Sequence, residues 1–386
     1  MPTLWGRIAS CWPVSNRPVH PEQPRPGSAD EIAAQLVKPP HNVRPTRRTA
    51  LAFLLTSACT TRTQDDPLHR ACHYLWSQQA EDGGWHSRTY GLLRSGQSLT
   101  PFVLNALLQV PQHAPTGAVD RAISFLHRNT SNEGAVGKMD PLLYDYPNYA
   151  TALTVQALLR ARQPVSHLID WLRTQQFTEA HGWKPDDPPY GAWGIGGEPR
   201  VAPNPGHVDL SMTRHVLQAL AAAGVSASDP VFTRARVFVE RCENPDGGFF
   251  FSTVVLDANK AGQDGQQYRS YGTTTADGLM ALVAMGAGPH DDRVQPARRW
   301  LAAHDSADGA PGFIGPAYQR WTAGLRFYYA CAASEARGWC SAAMAANLKA
   351  TQRRDGSWRN PENLVKEDDP LIATPFAILA LVRPVQ

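Results

Sequence analysis

Charge is scarce in this sequence. Asp, Glu, Lys and Arg make up 18% of its 386 residues, and 37 basic against 34 acidic side chains leave a formal net charge of +3. A chain this close to neutral has no basic face with which to neutralise phosphates, which excludes general nucleic-acid binding. Long apolar runs are missing too: the best, Ala50 to Ala58, falls well short of the roughly 20 residues of a membrane-spanning helix. Cysteine is sparse and scattered. Past Cys59 there remain only Cys72, Cys242, Cys331 and Cys340, with no CxxC pair or zinc-ribbon spacing, so a disulfide scaffold is excluded and small buried hydrophobes are expected. Hydrophobic residues nevertheless reach 42%, enough for a large core and against disorder throughout.

Proline and tryptophan are plentiful, at 32 and 11 residues. Nine of the prolines fall in residues 1–48, where apolar periodicity is absent, and this segment reads as a disordered tail. Arg47-Arg48, the apolar run from Ala50 to Leu55 and the small residues before Cys59 then describe a bacterial export signal over 43–58, of lipoprotein type with Cys59 as the lipidated residue. The Arg pair hints at the twin-arginine route. The stretch ahead of it is too long for a signal's basic region, so translation is expected to start near Val43. An exported, periplasmic or lipid-anchored protein follows from this reading; the alternative is a cytoplasmic protein with a disordered tail. Residues 67–386 then form a single domain behind a leader of 66 residues.

From residue 67 onward two helical patterns alternate. One is amphipathic and runs into a glycine turn followed by an aromatic. It appears at Ala71 to Gln79 with Asp82-Gly83-Gly84-Trp85, at Ile169 to Gln176 with Gly182-Trp183, and at Ala235 to Cys242 with Asp246-Gly247-Gly248-Phe249. Further copies end at Asp308-Gly309 and at Asp355-Gly356-Ser357-Trp358, and a degenerate one closes with Asn132-Glu133-Gly134. The other pattern is more uniformly apolar: Ser98–Val110, Tyr149–Ala161, Asp209–Ala223, Thr273–Gly286, Trp321–Ser334 and Thr374–Val382. A helix apolar nearly all round is buried, and one with a polar face covers it from outside. Strict alternation therefore predicts an all-α fold, an (α/α)6 toroid of six helical hairpins. In it each turn glycine takes positive φ, and each aromatic packs against the next outer helix. Gly191 to Gly197 is left over as a glycine-rich insertion, a lid over one mouth; with no Gly-Lys-Ser/Thr following, it is not a phosphate loop.

The segments Gln78 to Trp85 and Gln352 to Trp358 resemble the Gln-Trp motifs of squalene–hopene cyclases and of the wider group of prenyltransferase and squalene-oxidase repeat proteins. The resemblance covers about residues 67–383, and Asp246 to Gly286 is especially similar to exported bacterial members. It implies the toroid fold. It also implies three chemistries, whose residues are missing here. Class II terpene cyclases use an Asp-x-Asp-Asp acid, but Asp65-Asp66, Asp186-Asp187, Asp291-Asp292 and Asp368-Asp369 have no Asp two positions earlier and are expected in solvated turns. Protein prenyltransferases hold zinc through Asp, Cys and His; matching those helices places Arg269, Tyr271 and Tyr329 at the three positions, so no zinc and no cofactor are expected. Glu240-Arg241-Cys242 and His304 are expected on outer helices. The Cys-Gly-Glu-Gln thioester of complement-like toroids is absent.

A glycosidase reading needs two carboxylates across a cleft, and Asp209 and Asp277 lie near inner-helix starts, Asp209 also suiting a helix N-cap. Asp277 is otherwise the one weak candidate for a catalytic acid. The expected central cavity is aromatic and basic: Tyr149, His215, Arg269, Tyr271, Trp321, Arg326, Tyr328 and Tyr329 are its ligand-binding candidates. Such walls suit a hydrophobic or isoprenoid small molecule. The alternatives are a diverged cyclase or transferase enzyme, and a repeat scaffold that binds protein partners and whose centre is filled.

Overall fold

The computed structural model describes residues 66–140 and 144–386; the expected export signal and Cys59 lie outside these. The described residues are mostly helical. In chain order the helices are α1 (Pro67–Ser77), α2 (Leu99–Leu107), α3 (Ala118–Arg128), α4 (Pro147–Arg160), α5 (Ser166–Thr174), α6 (Leu210–Ala222) and α7 (Pro230–Arg241). They continue with α8 (Gly272–Ala284), α9 (Gln295–Ala303), α10 (Arg320–Gly324), α11 (Arg326–Arg337), α12 (Ala342–Thr351) and α13 (Pro370–Leu381). A short antiparallel ribbon, β1 (Gln263–Asp264) and β2 (Gln267–Tyr268), pairs Gln263 with Tyr268 and Asp264 with Gln267.

Helices α2, α4, α6, α8, α11 and α13 pack each against the next, and α13 packs back on α2, closing a ring. Burial explains which helices stand inside. Every residue of α2 is buried, as is the run from Gly272 to Leu282 of α8. By contrast α1 buries only Ala71, Cys72, Leu75 and Trp76, and α3 only Ala118, Ala122, Phe125 and Leu126, the one-sided stripe of a helix that covers others.

Several of the turns carry the same hydrogen bonds. In Trp85, Trp193 and Trp358 the indole Nε1 donates to the carbonyl of Leu75, Leu172 and Leu348, at 2.6, 2.7 and 2.8 Å. Each tryptophan therefore adds a hydrogen bond to a carbonyl in the last turn of the outer helix that precedes it, not of the next one. The link to the next outer helix comes from the glutamine and the glycine. Gln79 Nε2 donates to the Gly83 and Ala118 carbonyls at 3.0 and 2.9 Å, and Gln176 Nε2 to those of Gly191 and Val231, both at 2.9 Å. Inner helices are tied in by threonine hydroxyls: Thr100, Thr151, Thr213, Thr275 and Thr374 accept from the backbone N–H of Trp85, Val136, Trp193, Phe249 and Trp358.

This pattern corrects the third repeat. Its turn is Gly191-Ala192-Trp193, because these residues make the bonds that Gly83 and Trp85 make in the first repeat. A Cβ on Gly191 would stand 1.9 Å from the Arg234 carbonyl oxygen, so only glycine fits against α7. Gly182-Trp183 lies instead in an inserted excursion, with Trp183 Nε1 on the Arg200 carbonyl at 2.8 Å and its ring against Phe177. Gly191 to Trp193 is thus part of the frame and not of a lid.

Two inner segments also differ from expectation. Trp321–Ser334 is broken at Leu325, which has φ −110° and ψ 24° and separates α10 from α11. The last inner helix begins at Pro370, ahead of Thr374, because Asp369 caps it by accepting from Leu371 N–H at 2.9 Å and Pro370 needs no donor there. Asp368-Asp369 therefore does stand at an inner-helix start, with Asp369 buried and not in a solvated turn. Cys72, Cys242, Cys331 and Cys340 are free and buried.

Candidate functional site

Helix α6 sets the geometry of the ring's centre. Asp209 starts it, with Oδ1 accepting from Met212 N–H at 2.7 Å. Helical periodicity then brings Ser211, Arg214, His215 and Gln218 to one side. Arg214 Nε meets Oδ1 of Asp277, on α8, at 3.0 Å, and both groups are buried. The Tyr328 hydroxyl, from α11, donates to the same carboxylate, 2.8 and 2.7 Å from its two oxygens, and lies 2.7 Å from Ser211 Oγ. Helices α6 and α11 are not neighbours in the ring, so this hydroxyl bridges the lumen.

Aromatic rings complete the filling. Tyr149 on α4 meets His215 edge-on at 4.3 Å between centroids; Phe376 on α13 lies 5.3 Å from Tyr328 and 4.7 Å from Phe102 of α2. All six ring helices contribute a side chain to this plug.

The charges follow from burial and pairing. Burial lifts the Asp277 carboxyl above the ordinary carboxylate range, against the pull of Arg214 and the Tyr328 hydroxyl. Burial alone would lower Arg214, but Asp277 first, then Tyr328, Glu335 and Tyr149, outweigh it and hold the guanidinium well above its usual value. Burial and then Arg214 push His215 well below the ordinary histidine range, so its ring is neutral. Its Nδ1 faces Arg214 Nη1 at 3.3 Å, while Nε2 is without a partner among the described residues.

One cavity of about 770 Å³ opens beside this plug, at the C-terminal ends of α4, α6, α8 and α11. Leu159, Ala221, Leu279, Met280 and Val283 supply its apolar wall, and Val283 is 45% exposed. Gln218 and Glu335 connect it to the centre: Gln218 Oε1 accepts from Arg214 Nη1 at 2.8 Å, and its Nε2 donates to Glu335 Oε1 at 3.1 Å. Arg160, Arg298, Arg337 and Arg383 also line it.

The eight ligand candidates divide into groups, and none of them lines this cavity. Tyr149, His215 and Tyr328 come together in the plug. Tyr271 and Trp321 lie at the opposite mouth, Tyr271 capping the start of α8 with its ring 5.1 Å from Phe313, and Trp321 half-buried on α10 with Lys260 Nζ at 5.9 Å. Arg269 follows the ribbon and pairs with Asp264 at 3.6 Å. Arg326 and Tyr329 turn outward, Arg326 to Asn347 and Thr351 of α12, and Tyr329 to the His304 carbonyl at the end of α9. Asp277 is placed at the centre but paired, and Asp209 caps α6 while also accepting from His207 Nε2 at 2.8 Å. Both carboxylates are thus engaged, Asp277 by Arg214 and Tyr328 and Asp209 by Met212 and His207. Arg214 is absent from the sequence-based candidates; its signal in the sequence is a lone arginine inside an otherwise apolar helix, which demands a buried partner. Glu335, Arg298 and Arg383 carried no such signal, because only the ring brings their helices to one mouth.

No helix among the described residues is long and apolar enough to cross a membrane. The sequence matches no protein-family model and no curated protein. Among solved structures it is similar to the apo form of the type II terpene cyclase MstE from Scytonema, at 14% identity and a TM-score of 0.52 over 82% of this chain and 96% of that one. A variant of the same cyclase in complex with its substrate geranylgeranyl dihydroxybenzoate gives 14% identity and a TM-score of 0.50, over 82% and 95%. A D-mannose isomerase gives 12% identity and a TM-score of 0.49, over 82% and 95%. At these identities the likeness is one of fold: the chain has the helical fold of a type II terpene cyclase.

Proposed function

We propose that this chain is an (α/α)6 toroid of six hairpins that binds an apolar or isoprenoid-like small molecule without transforming it. The observation that carries the reading is the cavity of about 770 Å³, whose apolar wall leaves Val283 exposed on its surface. Its size falls within the roughly 300–1,000 Å³ of small-molecule sites. The fold supports the ligand class, since the similar cyclase was solved with a geranylgeranyl substrate. Against an enzyme of the cyclase type stands the state of Asp277: it is buried, bonded to Arg214 and Tyr328, and absent from the cavity wall. A carboxyl in that position has no alkene within reach to protonate. Export, with Cys59 as a lipid anchor, is kept as part of this proposal, because an apolar cargo suits a protein working near a membrane surface.

The test is uptake of geranylgeraniol by the purified full chain, read by calorimetry, together with mass spectrometry of lipids that co-purify. Saturable binding in the micromolar range is expected, with the alcohol recovered unchanged. Conversion to a cyclised product would establish an enzyme instead. The filled ring centre favours the repeat scaffold as second reading, and under it no ligand is taken up.

A further inference from the structure

Resting on that reading, we infer that the cavity selects ligands with an anionic head, a long-chain phosphate or carboxylate, and that Arg298 and Arg383 are the groups that recognise it. Four guanidiniums, from Arg160, Arg298, Arg337 and Arg383, line the cavity against one carboxylate, Glu335. They are not equivalent. Arg337 is spent on the frame, donating to Asp305 Oδ1 at 2.6 Å and to the Leu301 carbonyl at 2.7 Å. Arg298 and Arg383 have no side-chain hydrogen bond and no ion pair among the described residues, and the Nε of each is buried and unmet.

The orphaned atoms have one polarity. The unmet arginine atoms lining the cavity are the Nε groups of Arg298, Arg337 and Arg383, and an arginine N–H can only donate. Helix C-termini meet at this mouth, and arginines can serve simply to cap their carbonyls. Arg337 does so; Arg298 and Arg383 bond to no carbonyl among the described residues. An unpaired buried donor costs free energy, whereas a phosphate or carboxylate offers acceptors that match the guanidinium fork. The apolar wall of Leu279, Met280 and Val283 then accommodates the chain of the same molecule.

Glu335 is the counterweight. Its Oε1 accepts from Gln218, which joins it to the Arg214–Asp277 pair. Its carboxylate repels an anionic head and so limits how tightly one is held.

The experiment compares dodecyl phosphate, dodecanoate and dodecanol by calorimetry on the full chain. At least one of the two anions is expected to bind tenfold or more tightly than the alcohol, and the tighter one names the head group. The double variant Arg298→Gln/Arg383→Gln is expected to bring that anion to the level of dodecanol, with dodecanol itself unchanged. Both arginines are only partly buried and unpaired, so folding is not at risk; an unaltered melting temperature is the control. Glu335→Gln is expected to tighten anion binding several-fold. If dodecanol binds the natural chain as tightly as both anions, the head-group inference is overturned and the cavity reading stands. If none of the three binds, the cavity reading fails and takes the inference with it.

Discussion

Gln352 and Pro67 are 285 positions apart in sequence, yet Gln352 Nε2 donates to the Pro67 carbonyl at 2.8 Å. The bond joins the last outer helix to the first and makes the same link that Gln79 and Gln176 make between consecutive repeats. Gln352 Nε2 also holds the Gly356 carbonyl at 2.8 Å, while its Oε1 accepts from Arg70 Nε at 3.2 Å. Closure is thus one more repeat contact rather than a special device.

Gln352→Ala is expected to destabilise the protein by about 1–3 kcal/mol, since it removes several partly buried hydrogen bonds and leaves a guanidinium underbonded. Exposed Gln78, whose amide among the described residues reaches only Ser77, is the control, and Gln78→Ala is expected to stay within about 0.5 kcal/mol. Urea unfolding measures both. Equal effects would show that the seam does not hold the ring shut.

Asp277→Ala leaves Arg214 charged and without its carboxylate partner in the centre, and should cost about 3–5 kcal/mol. Removing the pair together, as Asp277→Leu with Arg214→Met, should recover most of that loss, because neither charge is then left buried. Chemical denaturation of the single and the double variant reads the difference. If Asp277→Ala is tolerated, the centre is not the tightly packed plug described above.

Burial raises the Glu367 carboxyl from 4.5 to about 7, although it accepts from the N–H groups of Phe327 and Tyr328 and from Asn360. Between those two pH values the folded state holds a proton that the unfolded chain has released, so stability falls as pH rises through the window. The loss from this group is about 3 kcal/mol between pH 4.5 and pH 7. Glu367→Gln should remove that slope, and melting temperatures across the window would show it.

Gly191 and Gly182 both have positive φ, 83° and 80°, but only the first is pressed against backbone, 1.9 Å from the Arg234 oxygen for a Cβ against 3.6 Å from Ala202 Cβ for the second. Gly182→Ala should cost about 1–2 kcal/mol for its left-handed backbone. Gly191→Ala should cost more, about 3 kcal/mol or above, because α7 must also move. The reverse order by thermal melting would return the third turn to Gly182-Trp183.

Val283→Trp fills the cavity from an already exposed position. Loss of geranylgeraniol uptake is expected, with stability within about 0.5 kcal/mol of the natural protein. Undiminished uptake would move the ligand elsewhere.

Much of the frame was legible in the chain. Period, glycine turns and Gln-Trp pairs mark the alternation of covered and covering helices, since burial on all sides and burial on one side leave different residue patterns. The third turn is ambiguous in sequence because two Gly-Trp pairs, Gly182-Trp183 and Gly191-Trp193, compete within 12 residues, and only the glycine's fit against α7 chooses between them. For the site, sequence named Tyr149, His215, Tyr328 and Asp277, residues whose types are unusual within buried helices. It could not say that they fill the centre rather than line a cavity, because that depends on which rings meet across the lumen. Nor could it show that Arg298 and Arg383, 85 positions apart, share one mouth. Local pattern determines a helix and the face it buries; the gathering of side chains from different helices, and the pairing of Arg214 with Asp277, is decided only when the ring closes and withdraws water from them.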